Sequence, residues 1–186
     1  MMDSMTRTIY YTASSLDGFI AGPGNDLEWL VSGGLETGPD DSPFAYAALE
    51  ASIGALVMGS HTYEWVLAHD PGMTLESWYR QPSWVVTHRV LEPIPGTPMR
   101  FFAGDVAELH PVLVDAAGGR DVWVVGGGDL AGQFLDAGLL DEVVVSYAPV
   151  TLGAGSPLLP RRADWRLVDV GRLGDFAAAR WEVARA

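Results

Sequence analysis

The chain of 186 residues carries 24 acidic against 11 basic side chains, a formal net charge of -13, and 48% of its residues are hydrophobic. That length and balance suit one globular domain with a substantial core, and the negative field argues against nucleic acid as a partner. The absence of cysteine removes disulfides, thiolate nucleophiles, iron-sulfur clusters and Cys-type zinc sites together.

Met1 to Thr8 carries Arg7 but no following apolar stretch of signal-peptide length, so a cytoplasmic location is expected rather than export. Ile9 to Thr12 reads as a first strand that stops at Ala13-Ser14-Ser15 and feeds a loop punctuated by Asp17-Gly18 and Gly22-Pro23-Gly24. Ser42-Pro43 reads as an N-cap and a first-turn proline, which predicts a helix from Phe44 to about Ala51. Ala55 to Met58 has the continuous apolar character of a buried strand, and a Gly59-Ser60-His61-Thr62 corner leads from it into a short helix over Tyr63 to Ala68. Ser83 to Thr87 and Met99 to Phe102 repeat the strand signal. A helical stretch from Asp105 follows, which Pro111 is expected to kink or delay.

Asp121 to Val125 is the clearest buried strand, and Gly126-Gly127-Gly128 carries it into a helix over Asp129 to Ala137 that Gly138 ends. Glu142 to Ala148 is again strand. After a proline-bounded connection, Arg166 to Val170 and Ala177 to Ala184 read as a closing antiparallel pair. Strands alternating with helices and an antiparallel end imply one three-layer α/β/α domain over residues 1–186, built on a mostly parallel central sheet. No apolar run approaches the roughly 20 residues of a membrane span, so no membrane contact is expected.

In such a sheet, ligands collect where the carboxyl ends of strands meet helix N-termini, whose free N–H groups attract phosphate. Three corners qualify: Met58 to Thr62, Val86 to Arg89, and Val125 to Asp129. The glycine triplet lets backbone approach a pyrophosphate, although a tight strand-to-helix turn without a ligand explains it equally well. Gly126, Gly128 and Ala131 also satisfy the loose G-x-G-x-x-G/A pattern. The acidic residue wanted about 20 positions later is absent near Ser146, which rejects a standard Rossmann assignment. The four histidines show no HxxxH or HExxH spacing, and no metal site is expected.

Three segments in order, Ser14 to Ala21, Met58 to Glu64 and Val124 to Leu130, resemble the successive motifs of the dihydrofolate reductase-like superfamily, and in particular the riboflavin-biosynthesis reductases of the RibD C-terminal domain type. Asp141-Glu142-Val143 and Ala148 to Pro160 extend the resemblance over nearly the whole chain. It implies a dihydrofolate reductase-like fold, a homodimer, and hydride transfer from NADPH, with NADH left open, to a small pterin-, pyrimidine- or carbonyl-type substrate. The nearest activity it implies is that of 5-amino-6-(5-phosphoribosylamino)uracil reductase; a dinucleotide-binding module without turnover is the alternative.

By the same resemblance, Ala13 and Ala21 flank the nicotinamide, while Ser15, Asp17 and Gly18 belong to the active-site loop. Gly59, Ser60, His61 and Thr62 lie against the dinucleotide phosphates. Gly126, Gly127, Gly128, Asp129 and Leu130 cradle the pyrophosphate from the opposite side, and Thr87, His88 and Arg89 lie near the adenosine ribose. Ser60 stands where the family often has an arginine for the NADP 2′-phosphate, and Arg89 is the replacement this sequence offers, since a guanidinium grips phosphate with two parallel bonds.

Asp17 is the candidate catalytic acid, with a turn aspartate before glycine as the alternative. Asp40 and Asp41 near the first helix read either as an acid for the substrate or simply as helix capping. Trp29 and Leu30, with Phe44 and Tyr46 opposite, are candidates for an apolar wall beside the substrate ring or for core, and Trp165, Phe176 and Trp181 for either dimer contact or core. Arg80, Arg100, Arg161 and Arg162 fall in no motif.

Overall fold

The structure, a computed structural model, describes residues 6–31, 41–69 and 79–184. Its centre is an eight-stranded sheet in the order β5-β4-β3-β6-β1-β7-β10-β9. Here β1 is Thr8–Ser15, β3 Ile53–Gly59, β4 Ser83–Val86, β5 Met99–Phe102, β6 Asp121–Gly126, β7 Glu142–Ala148, β9 Trp165–Leu173 and β10 Phe176–Val183. Every pairing from β5 to β7 is parallel, and β10 pairs antiparallel with both β7 and β9. A two-stranded ribbon of β2 (Phe19–Ala21) and β8 (Ser156–Pro157) ties the loop after β1 to the connection before β9.

Helices cover both faces, as the near-continuous apolar runs of the central parallel strands require. On one face α4 (Val106–Ala117) and α5 (Gly128–Asp136) set Leu109, Leu113 and Phe134 against Ala55, Val57, Val122, Val124, Val143 and Val145. The alternate residues Leu56, Met58 and Trp123 turn the other way, onto Leu49 of α2 (Tyr46–Ser52) and Tyr63 of α3 (Ser60–His69). A third cluster joins Ile9, Val144, Ala148, Leu173, Phe176 and Ala178 with Phe44 and Ala45, and Trp29 of the short α1 (Glu28–Val31) packs against it. Among the described residues no helix is long and apolar enough to cross a membrane.

Three local expectations need revision. β1 runs on through Ser15, because Ser14 and Ser15 keep their ladder partners Tyr147 and Ala148 on β7. α2 starts at Tyr46, not at Phe44: the Ser42 hydroxyl accepts from Phe44 N at 3.3 Å and Ala45 N donates to Ser42 O at 3.0 Å, a capped turn that sends Phe44 into the core. Pro111 interrupts nothing. α4 runs unbroken from an Asp105 cap, whose carboxylate accepts from Ala107 N at 2.8 Å, to Gly118 in the left-handed region.

Candidate active site

At the carboxyl ends of β1, β3 and β6 the chain encloses a cavity of about 630 Å³. This is within the range of small-molecule and cofactor pockets. Tyr11, Thr12 and Ala13 of β1 form its floor with Trp123 and Val125 of β6; Ile20 and Ala21 of β2 and the 156–160 segment enclose one side. Gly59 to Thr62 and Gly126 to Leu130 supply the two glycine corners. These corners touch: a Cβ on Gly59 would sit 3.7 Å from Gly126 O, and one on Gly126 3.7 Å from Thr62 Oγ1.

Two positions explain why the β6 corner is glycine. Gly126 has φ 142°, a conformation that side chains rarely adopt. At Gly128 a Cβ would meet the carbonyl oxygens of Pro157 and Leu158 at 2.3 and 2.4 Å, so only hydrogen lets the 157–158 backbone cross the start of α5. Gly127 is the N-cap and gives no side-chain cap, which leaves the first-turn amides of α5 for a ligand. A diphosphate therefore fits this corner by backbone shape and helix polarity without any basic side chain. No arginine or lysine lines the cavity among the described residues, and no metal-holding cluster of His, Asp and Glu occurs among them.

The cavity brings together Ala13, Ala21, Gly59, Ser60, His61, Thr62, Gly126, Gly127, Gly128, Asp129 and Leu130 from the sequence-predicted set. Asp129 at its rim accepts from Gln133 Nε2 and from Arg161 Nη2, each at 3.0 Å, and these bonds hold its carboxyl below the usual carboxylate range. Arg161, which no motif accounts for, lies along Gly132, donates to Asp136 Oδ2 at 2.6 Å and so pins the 156–160 wall to α5.

The remaining predicted residues stand elsewhere. Ser15 is buried beneath the loop, and its hydroxyl donates to Asp17 Oδ1 at 2.6 Å and accepts from Phe19 N at 3.0 Å. Asp17 also accepts from Leu152 N and Gly153 N, at 3.0 and 2.7 Å, outside the cavity lining. The Ser15 hydroxyl and then these two amides pull its carboxyl down to about 2, so it is ionised at neutral pH and anchors a loop where a proton donor was expected. Of the expected apolar wall Leu30 does line the cavity, joined by Leu27, whereas Trp29 and Phe44 belong to the third core cluster and Tyr46 lies outside the lining, edge-to-face with Trp123. Thr87 accepts from Arg89 N at 3.0 Å, and the Arg89 guanidinium is engaged by Glu64. Thr87, His88 and Arg89 lie beyond the cavity lining, next to Val86 within it. Asp40 lies outside the described residues, and Asp41 is an exposed turn residue before α2.

Sequence reasoning missed Trp65, Trp123, Tyr11 and Tyr79 as lining residues. Trp123 donates from Nε1 to Tyr11 O at 3.1 Å and meets Tyr79 edge-to-face with ring centroids 5.3 Å apart, so cavity wall and core are continuous here. The continuous apolar run of β6 marked Trp123 as buried, and its place beside the glycine triplet was the available clue.

The anchor role of Asp17 has a pH signature. Its carboxyl is depressed in the folded chain, so its contribution to stability is fully present above the ordinary value of 3.8 and lost as pH falls toward about 2. Asp17→Asn is expected to lower the thermal midpoint modestly at pH 7, with the gap to the parent narrowing as pH falls below 3.8 toward about 2, as followed by circular dichroism. A gap that does not narrow over that range would contradict the assignment.

The model of the RibD C-terminal domain family matches residues 7–175. Among curated proteins the chain is 26% identical to the uncharacterized protein YwjB of Bacillus subtilis, with 82% of each chain covered. It is 27% identical to the riboflavin biosynthesis protein RibD of Haemophilus influenzae, spanning 88% of this chain and 55% of that one. Among solved structures it is similar to a Shewanella sp. PV-4 protein assigned to riboflavin biosynthesis, with TM-score 0.78, 26% identity and coverage of 97% and 100%. The dihydrofolate reductase of Enterococcus faecalis complexed with NADP(H) shares the fold, with TM-score 0.64 at 17% identity and coverage of 97% and 98%. Motif order, sheet topology and the family match agree: the chain belongs to the RibD C-terminal domain family and has its dihydrofolate reductase-like, reductase-type fold.

Proposed function

We propose that the protein is an oxidoreductase that binds NADPH, or NADH, across the carboxyl ends of β1, β6 and β3 and transfers hydride to a small pterin-, pyrimidine- or carbonyl-type substrate. The observation that carries this reading is the paired glycine corner, Gly59 against Gly126, opening into a cavity of about 630 Å³ beside Ala13 and Ala21. Such a corner receives a pyrophosphate through backbone amides and leaves the ring of the nicotinamide to the apolar floor. Hydride transfer needs the cofactor face held beside an electrophilic carbon, so positioning dominates the chemistry. The reaction resembles that of 5-amino-6-(5-phosphoribosylamino)uracil reductase, and the family match and the NADP(H) complex of the Enterococcus faecalis neighbour support it.

A cytoplasmic location and a homodimer belong to the same reading. The sheet-edge strand β9 exposes Leu167, Val168 and Val170, which a second copy would cover, whereas Phe176 is core. A second reading, a dinucleotide-binding module without turnover, is favoured by one observation: the acid expected to handle a proton, Asp17, is ionised and turned into a loop anchor. Saturable binding of NADPH, followed by its oxidation at 340 nm with a panel of pterins, pyrimidines, quinones and carbonyls, separates the two. Binding with turnover supports the reductase, binding without any turnover supports the module, and absence of binding contradicts both.

A further inference from the structure

On the proposed reading, the nicotinamide end lies by β1 and the pyrophosphate over β6, so the adenosine half extends over β3 toward β4. Neighbouring strands are about 4.8 Å apart, which puts the β4 corner roughly 14 Å from β1, a distance the second nucleotide of an extended dinucleotide covers. At that end the cavity wall carries Ser60, which opens α3, and Glu64 lies one helical turn later, outside the main lining. Glu64 borders a smaller, adjoining hollow of about 350 Å³ that shares His61, Trp65 and Leu27 with the main cavity. Neither hollow is lined by an arginine or lysine among the described residues.

The basic group held against this wall is Arg89, and its fork is filled. Nη1 donates to Glu64 Oε2 at 2.8 Å and Nη2 to Oε1 at 2.5 Å, a two-bond arrangement of the kind a phosphate would use. The bond from Arg89 N to Thr87 Oγ1 at 3.0 Å fixes the start of this loop. Both side chains are partly exposed, at 54% for Arg89 and 38% for Glu64, so the pair is within reach of a ligand and contributes little to folding.

We propose that Glu64 sets the cofactor preference of this site: its carboxylate occupies the guanidinium fork that a ribose 2′-phosphate would take, so NADPH must displace an internal anion and NADH need not. The proposal rests on the dinucleotide reading above. Asp26, on the wall of the smaller hollow, adds negative charge in the same place. The wild-type protein accordingly gives NADPH little advantage over NADH.

Dissociation constants for NADPH and for NADH, measured at low salt on the wild type, Glu64→Gln, Arg89→Gln and the double variant, test this. Glu64→Gln keeps the side-chain size but frees the fork, and it is expected to tighten NADPH about tenfold or more with NADH unchanged, the scale of a charge-assisted pair. Adding Arg89→Gln is expected to erase that gain. An unchanged NADPH-to-NADH ratio in Glu64→Gln would overturn the proposal. So would a gain that survives in the double variant, since general repulsion by the carboxylate would then account for it. If neither cofactor binds any of the four proteins, the dinucleotide reading itself fails, an outcome distinct from a cofactor that binds with an unaltered ratio.

Discussion

Gly128→Ala is expected to destabilise the chain by about 2–3 kcal/mol, the cost of forcing one extra methyl group into a filled space, and to weaken dinucleotide binding by more than tenfold. The new Cβ would stand 2.3 Å from Pro157 O and 2.4 Å from Leu158 O, and both obstacles are backbone. That backbone cannot slide away freely. Tyr10 donates its hydroxyl to Leu158 O at 3.1 Å, Leu158 N donates to Gly18 O at 2.9 Å, and the β2–β8 ribbon holds the residues before it. Relief therefore moves the wall of the cavity away from the α5 N-terminus. Gly59→Ala is the matched control, because its Cβ meets only ordinary contacts at 3.7 and 3.8 Å while entering the cavity lining. Urea unfolding and cofactor titration on both variants should show Gly128→Ala losing stability and binding, and Gly59→Ala losing binding alone.

Arg7→Leu is expected to cost about 1–2 kcal/mol at neutral pH, between the values for exposed and buried ion pairs, because the Arg7 side chain is 45% exposed while its partners are buried. Arg7 bridges the amino-terminal ends of three strands: Nη2 to Asp121 Oδ2 and Nη1 to Glu142 Oε2, each at 3.0 Å. The Glu142 side chain is only 2% exposed, and Arg180 Nη1 lies 3.2 Å from its other oxygen without making a hydrogen bond to it. Burial pushes the Glu142 carboxyl above its ordinary value of 4.5, against the pull of Arg180 and Arg7. A carboxyl raised by folding favours the folded state when protonated. That contribution is present below pH 4.5 and lost as pH rises through the raised value. Without Arg7 the raised value climbs further, so the deficit of Arg7→Leu should be largest near pH 7 and shrink on acidification as Glu142 takes up a proton. Urea midpoints measured from pH 7 to pH 4.5 check this; a deficit that grows on acidification would contradict it.

The parallel core was legible because β3, β6 and β7 are continuous apolar runs, and strands buried on both faces require that composition. β1 was read short because Ser14 and Ser15 look like loop; only their pairing with β7, over 130 residues away, shows otherwise. The two-residue β8 has no periodicity to detect, and it forms because β2 lies opposite. Backbone corners were legible in the same way, since glycine requirements are local: Gly59 and Gly126 to Gly128 could be assigned to the cavity from sequence. Side-chain roles at a distance were not. Nothing near Arg89 in sequence reveals that Glu64, 25 positions earlier, fills its fork, and nothing near Asp17 reveals the amides of Leu152 and Gly153. Phe44 and Trp29 were read as substrate platform because aromatic residues serve either purpose, and only packing against Val144, Ala148 and Phe176 decides for core.

On the proposed function, the cavity between the two glycine corners holds a reduced nicotinamide dinucleotide. Trp65 and Trp123 line that cavity, so a bound reduced nicotinamide lies within energy-transfer range of both. Titration of the protein with NADPH, and separately with NADH, while following tryptophan quenching and sensitised nicotinamide emission tests the claim directly. Saturable quenching with matching sensitised emission for at least one cofactor, lost in Gly128→Ala, is the predicted result; quenching no greater than that of free tryptophan with either cofactor would contradict it.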